Sequence, residues 1–216
     1  MKRAALLIIF LVPMTAGAWT RASDQRIAKK AAALAPSDLR TMIERYHSDY
    51  QKGLARAIAT NALRNQIEAE TSAAIGIVRT RKSMSELVEH LGVLAHLVAE
   101  ANTPAHGDFE EYFEHRMTKF PTVFYGLDTN FDVQRYFDRT FNRTSRFHPL
   151  VESEYERAAS SQAFDDRSTA FGVASVCYSH AVTDLVNLYY YIWKEAGGDV
   201  RSASGLRRGN LLLHAN

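Results

Sequence analysis

The sequence predicts an all-α fold, a compact single-domain bundle of several helices. Apolar residues recur at helical spacing along most of the chain, while the strict alternation of a half-buried strand is almost absent. Proline, glycine and capping residues fall between these runs about one helix length apart. Short loops between amphipathic helices are the pattern of a bundle.

The chain opens with Lys2 and Arg3, an apolar run from Ala4 to Val12, Pro13, and then Ala16-Gly17-Ala18. This is the layout of a secretory leader, so residues 1–18 are expected to be removed between Ala18 and Trp19. The apolar run is too short for a resident membrane helix. The processed protein is expected to lack a transmembrane segment and to be secreted or periplasmic.

Residues 22–35 form the first expected helix, ended by Pro36. A second runs from Ser37 to Lys52, with Gly53 at its C-cap. A third covers Leu54–Arg79, carrying Leu54, Ile58, Leu63, Ile67 and Ile77. Ser83 with Glu86 three residues later is a capping-box pattern, and it opens a helix through Leu87, Leu91, Leu94 and Val98. Thr103-Pro104 breaks that helix. A fifth covers Asp108–Met117, and Phe120–Asn130 reads as a packed aromatic loop. Helices are expected over 131–147 and 149–163, separated at Pro149. A last long helix follows Asp165 and Asp166, which are expected to cap it, and ends at Gly197-Gly198. Residues 19–198 make up the domain, and the polar tail 199–216 is expected to be poorly ordered.

Lys2 and Arg3 are the only charges in the leader, so of 26 basic and 24 acidic residues the processed chain keeps 24 of each. With no net charge and no long basic run, strong binding to duplex nucleic acid is not implied. Cys177 is the only cysteine, so no internal disulfide can form. Among apolar and small neighbours it reads as a small buried hydrophobe.

A histidine stands four residues before a carboxylate at His96 and Glu100, at His106 and Glu110, and at His180 and Asp184. On a helix this spacing puts both side chains on one face. An imidazole nitrogen and a carboxylate oxygen aimed at one point suit a divalent metal. His96 and Glu100 interrupt an apolar segment, where an unpaired polar group is costly. They either satisfy each other or hold a cation. His106 follows a proline-fixed turn and starts its pair with Glu110 on the next helix. Asp108, Glu110 and Glu111 also suit a solvated helix start. His180 and Asp184 lie in the last helix. There a neutral His180 bonded to Asp184 or Tyr178 is the structural reading, and a supplementary metal ligand the functional one.

The segment His96-x-x-x-Glu100-x-x-x-Pro104-x-His106 resembles the signature of the zinc-dependent phospholipases C and fungal-type zinc nucleases. Members of that family are secreted all-α proteins whose processed chain begins with a metal-binding tryptophan, here Trp19. Ile27-Ala28 and Tyr191-Ile192-Trp193 are similar to the family's first and last helices. The resemblance implies one to three zinc ions held by Trp19, Asp24, His96, Glu100, His106 and Glu110. It implies hydrolysis of a phosphodiester, either a phospholipid headgroup or single-stranded nucleic acid, with Asp24 or Glu100 accepting the proton. The chain departs from the family at several points. Asp24 stands where a histidine is usual and Glu100 where an aspartate is usual. Another Asp and another His have no counterpart. His106 serves two motifs at once. A non-catalytic member of the same fold, acting as an extracytoplasmic binding or structural protein, is the alternative.

Arg139, Arg143 and Arg146 form either a phosphate-binding stripe or a solvated helix face. Asn142-Arg-Thr144 matches a glycosylation sequon inside an expected helix. Phe120, Phe124 and Tyr125 are expected in the core, with a site mouth as the alternative.

Overall fold

A computed structural model describes residues 19–104, 108–161, 164–202 and 211–213. The expected leader and His106 lie outside the described residues. Eight α-helices dominate them: α1 (Arg21–Leu34), α2 (Ser37–Arg45), α3 (His47–Arg56), α4 (Leu63–Arg79), α5 (Met84–Ala101), α6 (Asp108–Arg116), α7 (Val133–Ser161) and α8 (Thr169–Glu195). A 3-10 turn, Met117–Lys119, follows α6. Two short strands, β1 (Thr122–Phe124) and β2 (Leu211–Leu213), pair antiparallel with Thr122 opposite Leu213. The fold is all-α, as the sequence implies. Among the described residues no helix is long and apolar enough to cross a membrane.

Helices α5 and α8 form the centre. Both are apolar over most of their circumference, as expected of helices covered on several sides. Helices α1, α3, α4 and α7 pack around them. A chain of buried hydroxyls crosses this centre: Tyr50 and Tyr189 bond each other at 2.8 Å, and the Tyr189 hydroxyl donates to the Leu91 carbonyl at 2.9 Å. The contact ties α3, α8 and α5 without leaving either phenol unpaired.

Several boundaries differ from expectation. The second expected helix is two helices meeting at Tyr46. Gly53 lies inside α3 and caps nothing. A Cβ there would sit 2.0 Å from the Glu89 carbonyl oxygen, and one on Gly92 would sit 2.1 Å from that of Tyr50. The two glycines let the α3 and α5 backbones touch, so packing sets this position and not chain termination. The third helix starts at Leu63, not Leu54. Residues 57–62 are irregular, and Thr60 fixes them through its backbone N–H and hydroxyl to the Gln66 side chain, each 2.9 Å. Ile58 is consequently exposed.

Ser83 occupies the N-cap of α5, but its side chain makes no cap hydrogen bond. Pro149 does not interrupt the chain's helical path; α7 runs through it. Proline removes one N–H from the ladder, and the flanking turns hold the helix together. Ser168, rather than Asp165 or Asp166, caps α8, accepting from the Phe171 N–H at 3.1 Å. Gly197 ends α8 as expected. With φ +81 it allows Gly197 N–H to reach the Lys194 carbonyl at 3.0 Å and Gly198 N–H the Trp193 carbonyl at 2.8 Å. The expected poorly ordered tail contributes β2, and the aromatic loop contributes β1.

Candidate functional site

The amino end of the domain folds back onto the bundle. Thr20 caps α1, its hydroxyl oxygen accepting from the Ser23 N–H at 3.2 Å. The same hydroxyl donates to the Glu114 carboxylate on α6. Trp19 is buried, its ring 5.6 Å from that of Phe113 on α6 and 5.9 Å, edge-on, from that of Tyr178 on α8. Burial of so large an aromatic surface anchors the start of α1 between these helices.

One turn into α1, Asp24 is buried and meets α5. Its Oδ2 accepts a hydrogen bond from His96 Nδ1 at 2.7 Å. Glu100 lies one turn further along the same face of α5, as the spacing requires. Glu110 is buried on α6, near enough to Glu100 and Asp24 for their charges to act on its carboxyl. Three helices thus bring Asp24, His96, Glu100 and Glu110 together, with Trp19 and Tyr178 on the apolar side.

The electrostatics of this cluster are those of too many acids in too little water. Burial pushes the Glu110 carboxyl up to about 9, helped by the charges of Glu100 and Asp24. Burial also pushes Glu100 up to about 7, with His96 opposing and Asp24 reinforcing. For Asp24 burial raises the carboxyl and the bond to His96 works against it. For His96 burial favours the neutral ring, yet the hydrogen bond to Asp24 and the charges of Asp24 and Glu100 raise its pKa overall. Among the described residues, Asp24 Oδ1, Glu100 Oε2 and Glu110 Oε1 are all buried without a hydrogen-bond partner. Such orphaned acceptors are rare and each costs stability. Three in one cluster favour proton uptake by the carboxyls or the approach of positive charge.

Oxygen donors from three carboxyls with one imidazole nitrogen suit zinc and harder divalent ions alike. Among the described residues, however, no three His, Cys, Asp or Glu side chains are arranged to hold an ion as they stand. The His106 position, expected between α5 and α6, lies outside the described residues.

His180 and Asp184 do not join this cluster and do not bond each other. Asp184 takes an ion pair from Arg143 on α7 at 2.9 Å and a hydrogen bond from Thr140 at 3.2 Å. His180 stacks on Tyr125, ring centres 4.5 Å apart. Burial, with the charges of Arg143 and Arg139, lowers its pKa to about 4, so the ring is neutral at ordinary pH. The structural reading of this pair needs correcting in its partners, because the strongest donor within reach of Asp184 is a guanidinium.

Arg143 is likewise no member of a solvated stripe. It is drawn inward, and it also donates to the side chain of Asn102 at 2.6 Å. Asn102 caps α5, its own amide donating to the Val98 carbonyl at 2.9 Å. Thr144, the last residue of the sequon, donates to the Ala101 carbonyl at 3.0 Å. Helix α7 therefore fixes the end of α5 that carries Glu100. The sequence holds one signal for this: an asparagine directly before Thr103-Pro104, a natural place for a helix end.

Phe124 is in the core, while Phe120 and Tyr125 are each 38% exposed and sit on the α8 side of β1. Cys177 is buried, and burial pushes its thiol up to about 12, as befits an inert core residue.

No protein-family model, no curated protein and no solved structure matches this chain. The chain's class rests on its own geometry: an all-α bundle with a buried acid–histidine cluster at the junction of α1, α5 and α6.

Proposed function

We propose that this chain is an extracytoplasmic, metal-dependent phosphodiester hydrolase working at the Asp24, His96, Glu100 and Glu110 cluster. The observation that carries the reading is the trio of buried carboxyl oxygens without partners around a single imidazole. A divalent cation is the simplest species that satisfies all three and reverses their mutual repulsion. Zinc, in one to three ions, is the ion that the resemblance implies, with Trp19 and His106 as further ligands.

When bound, such an ion would acidify a water molecule and polarise a phosphoryl oxygen. The chain's own residues have separable tasks. Asp24 accepts from His96 Nδ1, which fixes the ring and leaves Nε2 as its ligating atom. Glu100, with a carboxyl near neutrality, is suited to taking a proton from an attacking water and releasing it again. Glu110, protonated in the metal-free fold, would supply a further negative oxygen on the α6 side once a cation displaced its proton. The substrate class, carried by the resemblance, is a phospholipid headgroup or single-stranded nucleic acid. The leader 1–18 supports export.

One observation favours a second reading, a non-catalytic member of the same fold. Among the described residues no three ligand-type side chains stand ready to hold an ion. Metal analysis of the protein beginning at Trp19, paired with hydrolysis of bis-p-nitrophenyl phosphate with and without chelator, separates the two. Bound zinc together with chelator-sensitive turnover supports the hydrolase. No metal after zinc reconstitution, or turnover that ignores the chelator, rejects it.

A further inference from the structure

A concavity lies away from the acid cluster. Helices α1, α2 and α3 enclose a groove of about 630 Å³, within the usual range for a small-molecule site. Asp24, Ile27, Ala28 and Ala31 turn the inner face of α1 toward the core, while Lys29 and Ala32 on its neighbouring face line the groove. Ala32 and Ile43 provide an apolar floor, and Lys29, Arg40, His47 and Glu44 the rim.

The rim has an uncompensated charge. Lys29 and Glu44 make no salt bridge among the described residues, and the rim's two fixed cations face one fixed anion. Among the described residues the Arg40 side chain makes one hydrogen bond, 3.3 Å to the Ala33 carbonyl, which leaves most of its guanidinium donors unused. A cationic rim over an apolar floor selects for charge and hydrophobic body together.

We propose that this groove binds a small amphiphilic anion, a phosphate-type head on a short apolar body. The head is held between Lys29 and Arg40, and the body lies on Ala32 and Ile43. The inference stands apart from the metal reading, because it uses no residue of the acid cluster.

Calorimetric titration of the full chain, with chelator present throughout, tests it. The probes are octyl phosphate below its micelle-forming concentration, inorganic phosphate and octyltrimethylammonium. Octyl phosphate is expected to bind saturably at one site and more tightly than either control. The Lys29→Gln/Arg40→Gln variant, altered only at the rim, is expected to weaken it about tenfold or more, the effect of losing two charge-assisted contacts. Unchanged circular dichroism and melting show that the variant is folded. Filling the groove with Ala33→Trp provides a second route to the same loss. Phosphatidic acid vesicles that compete for the site mark the source as a bilayer headgroup, and vesicles that fail to compete mark it as a soluble anion; either supports the site. Equal binding of the cationic probe, equal binding of inorganic phosphate, or an unaffected double variant overturns the proposal.

Discussion

Replacing Glu110 with glutamine should stabilise the metal-free protein, and increasingly so as pH rises. In the fold the carboxyl is held at about 9, through burial first and the charges of Glu100 and Asp24 second, against an ordinary 4.5. Between those two values the folded chain keeps a proton that the unfolded chain has released. Stability then falls with rising pH, by up to about 1.4 kcal/mol per unit for one whole proton. The contribution is fully present below the unfolded value and is lost as pH climbs toward the folded one. From about pH 5 to about pH 8 the ceiling is roughly 4 kcal/mol. Water entry and side-chain relaxation raise the effective dielectric, so a relative gain of about 2 kcal/mol for Glu110→Gln is expected across that interval. Urea denaturation of both proteins in chelator at the two pH values measures it. Parallel stability curves would refute the reasoning, since they would mean that Glu110 ionises freely in the fold. Zinc provides a second check. A bound cation favours the carboxylate, so saturating zinc should flatten the wild-type slope. A slope that zinc leaves untouched would remove Glu110 from the metal reading.

Three further outcomes are expected. Asp24→Asn removes the carboxylate that raises His96, so the histidine midpoint should move down when followed by NMR titration. Arg143→Met strands the buried carboxylate of Asp184 and frees the side chain of Asn102; a loss of about 3 kcal/mol in urea is expected, largely recovered in Arg143→Met/Asp184→Leu. Gly53→Ala or Gly92→Ala places a methyl group about 2 Å from a backbone carbonyl oxygen. Either should cost about 2–3 kcal/mol or more in thermal melts, because two helix backbones must separate.

Helices with an obvious apolar stripe and a clear stop were legible from the sequence. Residues 22–35 and the ending of α8 at Gly197 are the clearest cases, since local chemistry decides both. So was the pairing of His96 with Glu100 on one face, which follows from the pitch of a helix. What was not legible depended on distant regions of the chain. Gly53 looks like a helix end, but its role is set by Glu89 on α5. Pro149 looks like a break, yet α7 continues through it. His180 looks like the partner of Asp184 until α7 brings a guanidinium to that carboxylate.

The sequence by itself determined the helical class, the periodicity that buries α5 and α8, and the residue types able to bind a cation. Those properties depend on neighbours within one or two turns. Only the tertiary structure decided that Asp24 from α1 and Glu110 from α6 lie near His96 and Glu100, and that one oxygen of each carboxyl is buried without a partner among the described residues. Bringing residues more than 70 positions apart, such as Asp24 and His96, to 2.7 Å is a matter of how helices pack, and no local pattern encodes it.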